Sequence, residues 1–402
     1  STTPRARRRS SFAKSDPDTL PAPCTKVKPV KVKYKDYESY NEEIITNIET
    51  MDEYNVISNE NYSIITNQKG EGYSKYKNII INRYKQTADE AQGMFFYLKN
   101  ISDNRIWMAN YASFLDKPDK YNTVFSPDST KIVRQDGDIE ITANTTVDVE
   151  EPIEIRNLKI KNIGNREQIL EVTGSFEPII STQIQDISHP VFNDLFLRNE
   201  FENENIIIER RQRDKNAEKI FLATTLFTEN ETIGDIEYEL DKEKFFGRGN
   251  IQLPEMIKNS KPFSKIVGLI TEPIIALKRT LKVMPGEEVD LNLIIAVSDT
   301  KEKAQKYVNE YKNQAKIKKN FQLEKLKSME EIRYLGIKGT DTRDYKKLMS
   351  LLIVQNELKK NYIKNNNTYS QSDLWKFGIS GDLPIILVKI KDLNDTPHPS
   401  SG

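Results

Sequence analysis

The stretch KIVRQDGDIEI, residues 131–141, decides the fold class of this chain. Two short apolar runs flank Asp136-Gly137, and this dipeptide tolerates the positive φ angles that the centre of a tight hairpin turn requires. The stretch therefore predicts two antiparallel strands, with Asp136 and Gly137 as the central residues of the turn between them.

Strand-like patterns continue outward from this hairpin, from about Tyr54 to Val297. Turn residues recur at Gly164-Asn165 and Pro285-Gly286, and the apolar alternation changes phase near Arg156-Asn157, which indicates a bulge or a bend. Many short strands separated by turns are typical of an antiparallel sandwich. Since the region spans about 240 residues, we expect a large sandwich with many strands.

The spacing of apolar residues changes at Ser298. Beyond it they recur every three or four positions on one helical face, at Ala304, Tyr307, Val308, Tyr311 and Ala315. Asp299 and Glu302 stand at the spacing of a capping box. Two more helices are predicted, over about residues 323–334 and 342–361, and the second has apolar residues on more than one face, which indicates burial.

The composition excludes several classes of function. Lys and Arg number 60, as do Asp and Glu, so the chain has no overall positive charge with which to attract nucleic acid. Its one cysteine, Cys24, and two histidines, His189 and His398, cannot form an internal disulfide or a Cys/His zinc cluster. No apolar run approaches the ~18 residues of a transmembrane helix. Chemistry based on carboxylates stays open.

Gly247-Arg248-Gly249 is one candidate binding segment. Glycines allow backbone N–H groups to converge on an anion or a sugar oxygen, and the guanidinium of Arg248 adds a fork of donors. A plain turn is the alternative explanation of the same residues.

Three further segments carry residues suited to sugar binding or catalysis. His189 precedes Pro190 in a segment predicted to join two strands, where a loop histidine without a function is the alternative. Asp382 ends a glycine-containing loop, and a helix cap is its alternative role. Asn82-Arg83-Tyr84 and Trp107 supply donors and ring faces, although such aromatic residues in strands belong mostly to the core.

Taken in chain order, these motifs resemble the phosphorylase-like region of cyclic β-1,2-glucan synthases. Those proteins belong with cellobiose phosphorylase among the inverting glycoside phosphorylases of glycoside hydrolase family 94. The resemblance covers about Tyr54 to Lys391, and the spans around His189 and Gly381 are its most specific parts. Its motifs are NYS (61–63), GEGYS (70–74), NRY (82–84), FFYL (95–98), IW (106–107), DGDIE (136–140), HPVF (189–192), FGRG (246–249) and the segment 375–387.

The resemblance implies a mainly β fold with added helices. It predicts a large antiparallel sandwich of the galactose-mutarotase-like supersandwich type, a helical linker and the first helices of an (α/α)₆ barrel. Since only about 60 residues follow Gly339, we expect the barrel to be truncated. The predicted division is a disordered or artificial leader (1–33), the β-sandwich (34–297), the linker (298–340), the barrel start (341–393) and a tail (394–402).

The activity that the resemblance implies is inverting phosphorolysis or synthesis of β-1,2-glucan by a bacterial full-length parent. Inorganic phosphate or glucose 1-phosphate is then the co-substrate, and an Asp in the barrel is the general acid. No residue of this chain matches that Asp, so we assign no catalytic residue, metal or cofactor. Because a positioned proton donor contributes about 10²–10⁴-fold in rate, the chain alone is predicted to be inactive as a phosphorylase.

The implied partners are a β-glucan oligosaccharide and the missing barrel, with a homodimer also expected and nucleic acid not. The substrate-binding candidates are Arg248, Gly247, Gly249, His189 and Asp382. The expected location is the cytoplasm, unless the parent is anchored in a membrane. Two alternatives stay open: a stand-alone carbohydrate-binding or scaffold sandwich without catalysis, and an interaction protein that uses its basic N-terminal tail.

Overall fold

The computed structural model describes residues 42–45, 53–83, 93–111, 117–211, 219–337, 339–353, 370–381 and 385. The predicted leader, the predicted tail and Asp382 lie outside the described residues. The described strands are β1 (Glu43–Ile45), β2 (Tyr54–Ser58), β3 (Tyr62–Asn67), β4 (Gly72–Tyr76), β5 (Ile79–Asn82), β6 (Phe95–Asn100), β7 (Ile106–Met108), β8 (Lys120–Phe125), β9 (Thr130–Asp136), β10 (Ile139–Val147), β11 (Ile153–Asn162), β12 (Gln168–Phe176), β13 (Pro178–Ser181), β14 (Leu197–Glu202), β15 (Asn205–Arg210), β16 (Ile220–Phe227), β17 (Glu237–Asp241), β18 (Gly268–Leu269), β19 (Pro273–Val283) and β20 (Glu288–Ser298). The described helices are α1 (Gln183–Ser188), α2 (Pro190–Asp194), α3 (Lys242–Phe246), α4 (Glu255–Lys258), α5 (Lys301–Glu310), α6 (Gln314–Tyr334), α7 (Gly339–Ile353) and α8 (Ser372–Trp375).

The described strands form three antiparallel sheets. The largest has ten strands in the order β1-β8-β9-β10-β11-β20-β16-β15-β14-β18. Two five-stranded sheets, β17-β19-β12-β6-β7 and β13-β5-β4-β3-β2, face it, and side chains from all three sheets form the main core. The prediction of a mainly β chain with a large antiparallel sandwich is therefore confirmed.

The predicted central hairpin is present as β9 and β10, but its turn lies one residue later than predicted. Asp136 pairs with Ile139, so the turn residues are Gly137 and Asp138, of which Gly137 alone has a positive φ, 58°. This is the pattern of a type II′ turn. Asp136 stays in the strand because its buried carboxylate accepts two hydrogen bonds from Arg134, at 2.6 and 2.9 Å.

The change of phase in β11 is not the predicted bulge or bend but a change in which face is apolar. β11 pairs with β10 and β20 without a shift of register. Ile153 and Ile155 lie on the outer face, in a cluster with residues of α5 and α6. Leu158 and Ile160 lie on the inner face, in the core between the sheets. The strand therefore faces two apolar interiors, one along each half.

Glu154 and Arg156 fill the inner face of β11 where apolar residues are missing. Arg156 Nε donates to Glu154 Oε1 over 2.5 Å, and the Tyr62 hydroxyl donates to Glu154 Oε2 over 2.8 Å. Burial, followed by the charge of Glu154, raises the pKa of Tyr62 well above its usual range, so Tyr62 remains a donor. Removing one member of such a buried pair typically costs about 3–5 kcal/mol.

Helices cover the outer faces of two sheets. Tyr307 and Val308 of α5 pack on the ten-stranded sheet, and Phe245 of α3 and Met256 of α4 pack on the sheet that contains β19. The described elements thus form four layers: α5 and α6, the ten-stranded sheet, the two five-stranded sheets, and the short helices α3 and α4. Among the described residues, no helix combines the length and apolar character needed to cross a bilayer.

The helical segments differ in detail from the sequence predictions. Helix α5 is capped by Thr300, whose side chain accepts from Lys303 N, and not by Asp299, whose carboxylate accepts from Ser298 instead. Helix α6 begins at Gln314, well before the predicted start. Helix α7 is less buried than predicted, since Leu348 is 43% exposed. Whether α7 begins a barrel stays a prediction.

Helix α6 is held against the sandwich by polar contacts around a buried carboxyl group. Asn320 Nδ2 donates to Val147 O over 2.8 Å, and Lys327 Nζ donates to Val149 O over 2.9 Å. Between them, the Glu324 side chain is buried, and Lys327 Nζ lies 3.8 Å from its Oε1. Burial raises the pKa of Glu324 to about 7; the charge of Lys327 opposes this shift, and nearby acids including Asp128 and Asp148 add to it.

We expect stability to fall as the pH rises from about 4.5 to about 7, because folded Glu324 keeps its proton where the unfolded chain releases it. Glu324→Gln mimics the protonated form. It should raise the free energy of unfolding above pH 7 by an amount on the order of 2 kcal/mol and flatten this part of the pH profile. Urea unfolding at pH 5 and pH 8 measures both effects. An equal response of wild type and variant to pH would contradict this explanation.

Candidate functional site

A cluster around Arg83, which directly follows β5, gathers three acidic side chains at one edge of the sandwich. Arg83 Nη1 lies 3.0 Å from Glu177 Oε2, and Nη2 lies 2.9 Å from Asp186 Oδ1 and 3.4 Å from Asp194 Oδ1. Glu177 lies between β12 and β13, Asp186 belongs to α1 and Asp194 to α2. We call Arg83 and these three acids, together with Lys242, the Arg83 hub.

Lys242 connects the hub to a third helix. Its Nζ lies 2.8 Å from Glu177 Oε1, and it is the first residue of α3, which ends at Phe246. Phe246 lines a cavity of about 20 Å³ together with Arg83 and Glu177, a volume that suits one water molecule. The hub therefore brings together the two segments that carry His189 and Gly247-Arg248-Gly249.

The charges of the hub do not cancel completely. Burial raises the pKa of Asp194 to about 6, with Asp186 and Glu177 adding to the shift and Arg83 opposing it. Burial lowers the pKa of Arg83, but hydrogen bonding and attraction to Asp186, followed by Asp194 and Glu177, outweigh it, so this pKa is raised. The guanidinium remains charged, and the raised pKa of Asp194 lies close to neutral pH.

His189 lies at the junction of α1 and α2, the two short helices through which its segment joins β13 to β14, as predicted. Its backbone caps both helices: its N–H donates to Gln185 O and its carbonyl accepts from Asn193 N. Its side chain is exposed, between the two helices that carry Asp186 and Asp194. Its substrate-binding role stays a prediction.

The backbone around Arg248 forms a closed turn. The N–H of Gly247 donates to Glu243 O, that of Gly249 to Phe246 O, and that of Arg248 to Glu255 Oε2 over 2.8 Å. The Arg248 N–H and Lys261 lower the pKa of Glu255. The anion that these glycines were predicted to attract is thus supplied by Glu255 of the chain itself.

The Arg248 side chain is what this turn offers to a ligand. It is exposed, and no hydrogen bond or ion pair joins its guanidinium to another described residue. Gly247, with φ of 53°, and Gly249 shape the turn; a Cβ on Gly249 would lie 2.3 Å from the carbonyl oxygen of Leu253. Binding by the two glycines stays a prediction.

Trp107 and Asn82 belong to the interior. Trp107 is buried in the main core, and Asn82 accepts from Ser74 N and donates to Gly72 O across the small sheet. Near the other end of the described chain, the Trp375 indole donates to Ser380 O over 3.2 Å and remains 64% exposed. The described residues contain no cluster of His, Cys, Asp or Glu side chains that could hold a metal ion.

The acids of the hub and the apolar surface beside it were not predicted from the sequence. Asp186 and Asp194 are ordinary charged residues in the sequence, and only the pairing of β5 with β13 brings them to Arg83. Helices α1 and α2 expose several apolar side chains that share the hub's surface: Ile184, Ile187, Val191, Phe192 and Leu195. Apolar residues that recur at steps of three and four in 184–195 were a signal that could have indicated this surface.

Comparison with known proteins agrees with this architecture. Residues 41–314 match the family model described as glycosyl hydrolase 94, supersandwich domain. The cyclic beta-(1,2)-glucan synthase NdvB of Rhizobium meliloti is 24% identical over 346 residues, which are 85% of this chain and 12% of that protein. The chain therefore spans a small part of this curated relative.

Solved structures that align with part of this chain include the following two. A bacterial glucoamylase complexed with acarbose aligns with a TM-score of 0.37 and 11% identity, over 72% of this chain and 40% of that chain. A protein provisionally described as a kojibiose phosphorylase, from the human microbiome, aligns with a TM-score of 0.40 and 8% identity, over 70% and 35% of the two chains.

Arg83→Leu should destabilise the fold by about 3 kcal/mol at pH 8, since it leaves three partly buried carboxylates without their shared cation. The loss should shrink towards pH 5, where Asp194 binds a proton. Arg248→Ala, on the exposed turn, is the matched control and should change stability by less than about 0.5 kcal/mol. Urea unfolding at both pH values measures this; equal stability of the two variants would argue against the hub.

Proposed function

The chain belongs to the glycosyl hydrolase 94 supersandwich family, and on that premise we propose that it is the non-catalytic front part of an enzyme acting on β-1,2-glucan. Family membership makes it part of a carbohydrate-active protein. The specific glucan is proposed because a cyclic beta-(1,2)-glucan synthase aligns with 85% of this chain. The division into leader, sandwich, linker and barrel start is part of the same proposal.

The observation that carries the proposal is that one ion cluster holds both predicted ligand segments. Arg83 binds the helices on either side of His189, and Glu177 binds both Arg83 and the first residue of α3. Arg248 follows α3 with its guanidinium exposed. A guanidinium presents five N–H donors, which suits the hydroxyl groups of a sugar. We therefore assign Arg248 as the sugar-contacting residue and His189 as a neighbouring contact.

The bond-making chemistry belongs, in this proposal, to a helical barrel that α7 begins. We assign no described residue as the general acid. Phosphate or glucose 1-phosphate is the co-substrate of the full-length parent. The exposed apolar face of α1 and α2 is the surface that fits an apolar partner. This chain alone should therefore release no phosphate above background from glucose 1-phosphate with a β-1,2-glucan acceptor.

A stand-alone carbohydrate-binding sandwich is the second candidate function. The observation that favours it is that the main core consists of residues from the sandwich strands and their connections, Ile57 to Val297, so the sandwich closes without a barrel. A gene whose reading frame continues into several hundred helix-rich residues would favour the enzyme part. A reading frame that stops soon after Lys391 would favour the stand-alone module.

Calorimetric titration with short β-1,2-glucans tests the proposed role of Arg248. Wild type should bind, and Arg248→Ala should bind about tenfold more weakly, the effect expected when a charged hydrogen-bond donor is lost. Arg333→Ala, which removes an exposed guanidinium from α6, is the matched control and should bind like wild type. No binding by wild type, or equal binding by wild type and Arg248→Ala, would rule this role out.

A further inference from the structure

A second concave surface lies on the other side of α1. It is a groove of about 800 Å³, bounded by the turn between β4 and β5, by α1, and by the first turn of α5. The ends of β16 and β20 form part of its lining through Ile220 and Val297. This volume falls within the range of small-molecule binding clefts, about 300–1,000 Å³. The groove does not include Arg248 or His189.

Three amide side chains converge on this groove: Asn61, Asn78 and Gln185. None of the three side chains is hydrogen-bonded to another described residue, although their backbones are held by the β3–β4–β5 sheet and by α1. Each amide has two donors and an acceptor with two lone pairs. Such groups match sugar hydroxyls, which donate and accept at the same oxygen.

Tyr76 places a ring beside these amides. It is the last residue of β4 and is half-buried, so its ring is fixed by packing against the main core. The next residue, Lys77, adopts φ of 53°, and its Nζ lies 5.2 Å from the centre of the Tyr76 ring. An aromatic ring next to several polar side chains suits the apolar face and the hydroxyl rim of a pyranose.

The charged side chains of the groove are four cations, Lys77, Arg210, Lys219 and Lys303, and two acids, Glu151 and Asp299. Three of the cations lie near aromatic rings: Lys77 over Tyr76, Arg210 at 6.0 Å from the centre of the Phe196 ring, and Lys303 at 5.4 Å from the centre of the Tyr307 ring. The acids are also engaged: Glu151 accepts from the Tyr307 hydroxyl, and Asp299 accepts from Ser298 Oγ over 2.9 Å. The uncharged amides can bind sugar hydroxyls beside these charged groups, and the cations can donate to the same hydroxyls.

We propose that this groove is a second sugar site, which binds a short stretch of neutral β-glucan through Asn61, Asn78 and Gln185 with Tyr76 beside them. The site is non-catalytic and holds the polymer away from the Arg248 turn. The inference rests on the proposed glucan chemistry but uses different residues, so each can fail without the other.

Titration of Asn78→Ala/Gln185→Ala with short β-1,2-glucans tests the groove, because both side chains are exposed and should not be needed for folding. The double variant should bind at least tenfold more weakly at this site, while its melting temperature stays close to that of wild type. In Arg248→Ala, glucan should still protect the amides of residues 76–79 from hydrogen exchange. That protection should be absent in the double variant.

Three results would overturn the inference. The first is unchanged binding by the double variant. The second is glucan that protects the Arg248 turn but not residues 76–79, which would leave the proposed function intact. The third is protection of residues 76–79 by inorganic phosphate but not by glucan, which would make the groove an anion site. Loss of groove binding with no effect of Arg248→Ala would instead support the groove and reject the proposed Arg248 contact.

Discussion

Strand β11 packs against two apolar cores, one on each of its faces, and this constraint determines the order of the described layers. Its outer side chains near Ile155 pack under α5 and α6, and its inner side chains near Leu158 pack between the sheets. Between these halves, Glu154 and Arg156 meet on the inner face and take a third partner, Tyr62, from the opposite sheet. One strand thereby links the helical layer, its own ten-stranded sheet and the sheet that contains β3.

At the edge of the sandwich, the Arg83 hub likewise pairs a guanidinium removed from solvent with carboxylates. A half-buried guanidinium gathers carboxylates from the β12–β13 connection and from both short helices, because the alternative is to leave those charges unpaired in a poorly solvated place. Once this edge is fixed, the chain can present exposed side chains on either side of α1. Arg248 and His189 lie towards the hub, and the amide-lined groove lies on the other side.

The sequence predicted the sheet architecture well, because hairpin residues and apolar alternation are local signals. It misplaced the turn at Gly137 by one residue, since the pairing of Arg134 with Asp136 is a buried contact that alternation does not encode. It mistook the face change of β11 for a bulge, because the helices that cover Ile153 and Ile155 come from beyond residue 300. The site was predictable only as isolated segments: Arg83 and His189 were noted, but Asp186, Asp194 and the groove depend on pairings between distant strands.

Native-state hydrogen exchange of β11 tests the central claim most directly. If this strand holds the layers together, the amides of Ile155 and Leu158 should exchange only by global unfolding, with the same free energy that urea unfolding gives. Exchange of Ile155 together with α5 at a free energy several kcal/mol lower, with Leu158 still protected, would contradict the account. It would mean that the helical layer opens independently and that β11 does not couple the two interiors.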